Sequence, residues 1–269
     1  MMQKRDSGLS MAVGFVMILL VIAMIIGMWA VVGVPEQIRD AEEYHAIKVT
    51  NAFLDYKIAV DSQRSGGFTG SKVSMLIPAA SAYADGALFM QEDVGTLSIT
   101  GVTPLPPIEI SRLYATFGTT NTRIGYEGGG VYRNDYGRAA WVTPPSLTIV
   151  GSDPDIYVYL VIPKMQGSFA VGSSEGIPVD TRLQTDSSSS LQGSVNQMMT
   201  ITYEADQKWD AILWSAFFNE TKIKYGNIVQ DITVELTADS TSIKITPLSG
   251  GSIHLNLKTP EYQVDVRGS

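Results

Sequence analysis

Few residues in this chain are of types that do chemistry. It has two histidines, His45 and His254, and no cysteine, so neither a disulfide framework nor a thiolate metal site can form. His45 falls on the apolar face of a helical segment, where packing is its default role. His254 stands between Ile253 and Leu255. It shares a face with Asn256 and Lys258 and points to water if its apolar neighbours point inward. Environments this different do not suggest a shared metal site, and no metal or other cofactor is expected. Asp153-Pro154-Asp155 offers oxygens of the kind Ca²⁺ takes, but the same tripeptide builds a β-turn, which is the preferred reading. No H-E-x-x-H, G-x-S-x-G or G-x-x-x-x-G-K-[ST] pattern occurs. Carboxylates are plentiful, yet nothing in the order of residues singles out a glycosidase-like pair, and the expectation is that the protein is not an enzyme. Asn219-Glu220-Thr221 is the one N-x-[ST] sequon. It makes Asn219 a candidate glycosylation site, in what reads as a surface loop after a helix near residues 206–218.

The elements that position these residues begin with an uncharged apolar run from Leu9 to Val34. About 20 such residues cross the hydrocarbon core of a bilayer as a helix. The run is too long for a signal peptide and has no clean A-x-A site after it, so a retained anchor is expected. Lys4 and Arg5 precede it, and Glu36, Asp40, Glu42 and Glu43 follow it. Positive charge stays on the cytoplasmic side, which orients the N-terminus inward and the C-terminal part outward, in a single pass. Small Gly14, Gly27 and Gly33 and Ala12, Ala23 and Ala30 would permit close helix–helix approach. Trp29 near the outer end suits the headgroup region.

The segment after Pro35 reads as a second, amphipathic helix to about residue 63. Ile38, Ala41, His45, Val49, Ala52, Tyr56 and Ala59 recur at spacings of three and four, and Arg64-Ser65-Gly66-Gly67 ends it. Pro35 either kinks the chain or opens a new helix. If the helix runs through it, Leu9 to Asp61 is one continuous rod.

Beyond this the period changes to two. Val73, Met75 and Ile77 alternate, as do Met199, Ile201 and Tyr203; Ile232, Val234 and Leu236; Ile253, Leu255 and Leu257; and Tyr262, Val264 and Val266. Each set reads as a strand with one buried face. Ile156 to Ile162 is continuously apolar and reads as a central strand buried on both sides. Trp209, Ile212, Leu213, Ala216 and Phe217 give one helix, with Asp206 as its N-cap. Residues 164–194, rich in Gly and Ser, read as a long loop or flexible hairpin. The fold class is therefore α+β: a long N-terminal hydrophobic and amphipathic helix, then a mostly antiparallel, sandwich-like β-rich head with one amphipathic helix. The expected division is a charged leader over 1–8, a transmembrane helix over 9–34, a stalk helix over 35–63 and an extracellular β-rich domain over 68–269. The chain carries 19 Lys+Arg against 27 Asp+Glu, a net charge of −8. Since Lys4, Arg5 and Asp6 are the only charges before residue 35, the exported part is more acidic still. That excludes nucleic acid as an expected partner, because phosphate binding needs a basic surface.

The order of apolar helix, amphipathic continuation and β-rich head resembles type IV pilin-like proteins, in detail an archaeal group of membrane-anchored ones. Gly14-Phe15-Val16, Gly33-Val34-Pro35, Asn51-Ala52-Phe53-Leu54 and Gly95-Thr96-Leu97-Ser98-Ile99 carry the resemblance. Its most specific piece is Tyr126-Glu127-Gly128-Gly129-Gly130-Val131, followed by Pro144-Pro145-Ser146. It covers residues 5–150 well and the remainder loosely. It implies a structural subunit that uses its N-terminal helix first as an anchor in membrane lipid and then as a packing surface for identical subunits in an extracellular filament. It also implies removal of a short leader, here between Gly8 and Leu9. The chain departs from the pattern at Val13, where many pilins carry Glu at the fifth mature position. The alternative is a non-polymerising single-pass surface protein whose head binds a ligand, a cell-wall component or a partner. The glycine-rich motif reads on its own as a tight turn with positive φ.

Overall fold

The computed structural model describes residues 6–79, 86–117, 122–173, 176–194 and 196–267, with side chains from residue 13 onward apart from that of Ser173. The segment before Asp6, including Lys4 and Arg5, lies outside the described residues. The chain divides into two compact units, Met1–Tyr44 and His45–Ser269.

In the first unit, α1 (Asp6–Met28) is followed by a π-helical turn, Trp29–Gly33, and by the start of α2 (Val34–Gly66). Gly8 and Leu9 both lie within α1. The π turn has a local cause. Pro35 has no N–H to give and its ring crowds the carbonyl one turn back. Widening the preceding turn, with Val34 N–H donating to Trp29 O, lets the helix pass the proline without breaking. The Trp29 indole folds over Gly33, where a Cβ would sit 2.9 Å from Trp29 Cδ1. The helix thus continues past Pro35. Val13 to Val32 are exposed without exception, and this helix is long and apolar enough to cross a membrane.

In the second unit, the rest of α2 lays Ala46, Val49, Phe53, Tyr56 and Val60 into a core shared with both sheets. Val49 and Tyr56 are where the three-and-four spacing puts them. His45 is buried edge-on against Phe117, and burial lowers its pKa. Tyr56 Oη shares a 2.8 Å hydrogen bond with Thr181 Oγ1, and Tyr262 Oη donates to Val60 O at 3.1 Å.

The strands are β1 (Lys72–Ile77), β2 (Gly86–Thr100), β3 (Ile108–Phe117), β4 (Thr122–Glu127), β5 (Gly130–Asp135), β6 (Arg138–Thr143), β7 (Ser146–Ser152) and β8 (Asp155–Val161), followed by β9 (Lys164–Gln166), β10 (Phe169–Ser173), β11 (Ile177–Gln192), β12 (Met199–Ala205), then α3 (Lys208–Tyr225), β13 (Asp231–Leu236), β14 (Ser240–Thr246) and β15 (Ile253–Val266). Among the described residues they form two sheets. One runs β1-β11-β15-β8-β7, with β9 beside β15; the other runs β13-β14-β12-β2-β3-β4-β5-β6, with β10 beside β2. Pairing is antiparallel except where β15 meets β8 and β9. The inner faces of both sheets and α3 build a second core around Leu97, Ile110, Val158, Ile201, Trp214, Ile243 and Leu255. α3 touches β13 and β14 at one end of the larger sheet and β6 at the other, so that sheet is strongly curved. The architecture is α+β, a long N-terminal helix followed by a mostly antiparallel β-rich domain with one further helix.

Several local expectations are overturned. Residues 164–194 are not a loop: they hold β9, β10 and the 16-residue β11. Ser187 to Ser190 lie in register with Thr259 to Asn256 of β15, and Ser187 Oγ donates to Thr259 O. A serine run without apolar alternation becomes strand because a partner distant in sequence supplies its backbone hydrogen bonds. Ile156 to Ile162 is buried on one face alone, since Tyr157 is half-buried and Tyr159 is 44 % exposed. Its other face packs Ile156, Val158, Leu160 and Ile162 into one core with α3. The last two alternating sets are a single strand, β15, whose inward phase shifts between Leu257 and Pro260. The N-cap of α3 is Gln207, not Asp206, and makes no side-chain cap bond. The helix buries Leu213 and Phe217 of the expected face but is rotated from it: Ile212 and Ala216 are exposed, while Asp210, Trp214, Phe218, Thr221 and Tyr225 are buried.

Candidate functional site

Arg112, Glu127 and Asp210 meet in the interior of the head and are respectively 2 %, 0 % and 0 % exposed. Arg112 is on β3, in the same alternating phase as Ile110 and Tyr114. Glu127 ends β4 directly opposite it across the ladder, which brings the two side chains onto one face. Asp210 comes from the first turn of α3. Arg112 Nε donates to Glu127 Oε2 at 2.6 Å and Nη2 donates to Asp210 Oδ1 at 2.6 Å. Trp214, one turn beyond Asp210, donates its indole N–H to Glu127 Oε1 at 2.8 Å. Aromatic rings close the rest of the cage. The guanidinium carbon lies 4.6 Å from the Trp209 ring centre and 5.4 Å from that of Tyr132. Tyr203 stacks on Trp214 at 4.6 Å.

The glycine-rich motif supplies the turn that ends β4 where it must. Gly128 and Gly129 have φ of +54° and +94°, the left-handed pair that a two-residue hairpin needs. A Cβ on Gly128 would stand 2.9 Å from Trp214 Cζ2. The motif is thus the tight turn expected from its glycines, and it also delivers Glu127 to the cluster.

The electrostatics do not balance. One guanidinium faces two carboxyl groups, and a buried charge without a partner is costly. Burial opposes charge on Arg112, but Glu127, Tyr132 and Asp210 outweigh it and hold the guanidinium ionised. Burial pushes Asp210 up to about 7; Arg112 works against this and Glu127 adds to it. Both oxygens of Glu127 are occupied, whereas Asp210 Oδ2 is buried with no hydrogen-bond partner. The cluster can hold a proton, or accept a donor, at that one atom. Asp210 and Arg112 line a cleft of about 360 Å³ whose walls include Gln91, Asp93, Ser168, Asp206 and Gln207.

The residues singled out from sequence lie elsewhere. His254 is half-buried, stacked on Tyr157 at 4.7 Å with Nε2 3.8 Å from Asp155. Asp153-Pro154-Asp155 forms the β7–β8 turn, and Asp155 Oδ1 accepts from Ser252 N. Asn219 is exposed but sits inside α3, not in a loop, and its amide donates to Ser215 O at 2.8 Å. Thr221 of the same sequon is buried and donates to Phe217 O. None of these belongs to the cluster. Sequence reasoning missed Arg112, Asp210 and Trp214 and took in Glu127 only as part of the glycine-rich motif, although one signal was legible: Arg112 occupies the inward phase of an apolar alternation, where an unpaired arginine does not belong.

A model of a family of unknown function (DUF7289) matches residues 8–247. The chain belongs to that family. The DUF7289 match takes in α1 from Gly8 onward and all four cluster residues, and only β15 among the strands lies beyond its end. No curated protein and no solved structure matches the chain.

Proposed function

We propose that this DUF7289 protein is a pilin-like structural subunit of the archaeal cell surface, held in the membrane by its N-terminal helix and assembled with identical subunits through it. The observation that carries the reading is the unbroken exposure of Val13 to Val32. No charge interrupts this stretch, and none of its most apolar 18-residue window is buried by the rest of the chain. A surface this apolar requires cover. Lipid supplies it for a lone anchor; neighbouring helices supply it in a filament, where Gly14, Gly27 and the alanines permit close approach. The acidic, well-packed head is suited to an aqueous exterior.

Electron microscopy of material sheared from the cell surface tests the reading, with the protein identified by mass spectrometry. Filaments built from repeating copies are expected. Recovery of the protein solely as dispersed copies in detergent-extracted membranes would refute polymerisation and favour the single-pass receptor-like alternative. Recovery from the cytosol with the apolar helix intact would refute both.

A further inference from the structure

We infer that the cleft above Asp210 is a binding site for a primary ammonium group, carried by a lysine side chain of another protein or by a free aliphatic diamine. The starting point is Asp210 Oδ2, an oxygen of a fully buried side chain with no partner. Its sister atom Oδ1 is taken by Arg112, so Oδ2 alone is left without a partner, buried beneath the cleft that Asp210 lines.

The walls are built for the same charge. In β2, Gln91 pairs with Arg112 and Gly95 pairs with Ile110. Glu92, Asp93 and Val94 therefore stand opposite Ser111 alone, a bulge of the kind that re-aims side chains beside functional sites. Asp93 at its centre holds a φ of +55°, a conformation that costs a non-glycine residue free energy. Asp206, on the opposite wall, is tied to the bulge by its own N–H donating to Val94 O at 3.4 Å. Glu92 accepts from Gly167 N at 2.5 Å, which fixes a third side. Two exposed carboxylates, Asp93 and Asp206, and two amides, Gln91 and Gln207, thus surround the approach to a buried third carboxylate.

The charge count points to one added positive charge. Arg112 neutralises one of the two buried carboxylates, and Asp210 is left to keep a proton or to find a cation. A metal ion is the poorer match: among the described residues no group of three or more His, Asp or Glu side chains is arranged to hold one. An ammonium needs only one close oxygen and two further acceptors at hydrogen-bond reach.

The charged and titratable groups facing Asp210 are Arg112 from β3, Glu127 from β4, Tyr132 from β5, Tyr203 from β12, Asp206 from the loop before α3, and Glu92 and Asp93 from the bulge. Since the ammonium requires the ionised carboxylate and Asp210 takes up its proton near 7, binding weakens as pH falls.

Calorimetric titration of the full-length chain in detergent micelles, in phosphate buffer free of amines, tests this. The probes are 1,5-diaminopentane and Nα-acetyl-lysine methylamide. At least one is expected to bind with one-to-one stoichiometry at pH 8, about tenfold more weakly at pH 6. Asp210→Asn should weaken it at least tenfold and Asp206→Asn about two- to fivefold, with circular dichroism unchanged. Binding of the lysyl amide alone assigns the site to a protein partner; binding of the diamine alone assigns it to a free amine. Absence of binding by both at millimolar concentration overturns the inference. So does binding indifferent to both substitutions, or Ca²⁺ binding that excludes the amines. The cleft lies wholly within the second unit, so this outcome is independent of filament formation.

Discussion

Asp210→Asn removes the titrating oxygen of the cluster and preserves its shape, since the amide oxygen still accepts from Arg112. In the native protein Asp210 keeps its proton up to about pH 7, whereas an unfolded chain releases it near pH 4. Between these values the folded state binds one more proton than the unfolded state. Unfolding free energy therefore falls as pH rises, and the contribution is complete below about pH 4 and gone above about pH 7. One proton is worth about 1.4 kcal/mol per pH unit, hence about 3 kcal/mol between pH 5 and 8. For a domain of this size that is roughly 5–12 °C in Tm. The asparagine variant has no such proton. Thermal melts of the full-length wild type and variant in detergent, without amines, should show the variant gaining on the wild type by that amount from pH 5 to pH 8. Other carboxylates do not disturb the comparison. Asp180, held well below the usual range by Lys72, Ser74 and Arg267, contributes stability above about pH 4 that is lost as pH falls, equally in both proteins. Parallel curves, or a wild type that gains on the variant as pH rises, would refute the claim that Asp210 is buried with a proton in place of a cation.

The cluster and the anchor yield three further tests. Trp214→Phe leaves Glu127 Oε1 with only the long 3.5 Å contact from Tyr203, so the lost donor alone should cost about 1–3 kcal/mol in a urea titration. Gly128→Ala forces a side chain into φ of +54° and against Trp214; a loss of about 1–3 kcal/mol is expected, and an unchanged urea midpoint would show that the turn relaxes freely. Leu20→Arg sets a charge within the exposed apolar stretch of α1, at an insertion cost of about 2.5–3.5 kcal/mol. Carbonate-resistant membrane association should fall sharply, and its persistence would argue against a spanning helix.

The parts of the fold that were legible in advance are those in which a local pattern repeats. The three-and-four spacing through Val49 and Tyr56 marked the buried face of α2, and the alternation of Met199, Ile201 and Tyr203 marked β12, because each residue's environment there follows from helix or strand geometry. Patterns failed where a distant contact outweighed them. The spacing in α3 marks Ile212 and Ala216 as buried, yet they are exposed, while Asp210 faces inward and is bonded to Arg112 of a distant strand. Ser187 to Ser190 has no apolar phase at all and is strand only because β15 lies alongside it.

The amino-acid order by itself determined that there is an apolar N-terminal helix longer than the hydrocarbon core of a bilayer is thick, an acidic β-rich domain after it, and no thiol or disulfide chemistry, because composition and period are properties of the chain alone. The tertiary structure decided what the head holds. Arg112 and Glu127 are 15 residues apart and Arg112 and Asp210 are 98 apart. Short-range periodicity does not reveal that three charges so separated will share one buried space. Only the closing of β3, β4 and α3 around it leaves a carboxylate oxygen there without a partner.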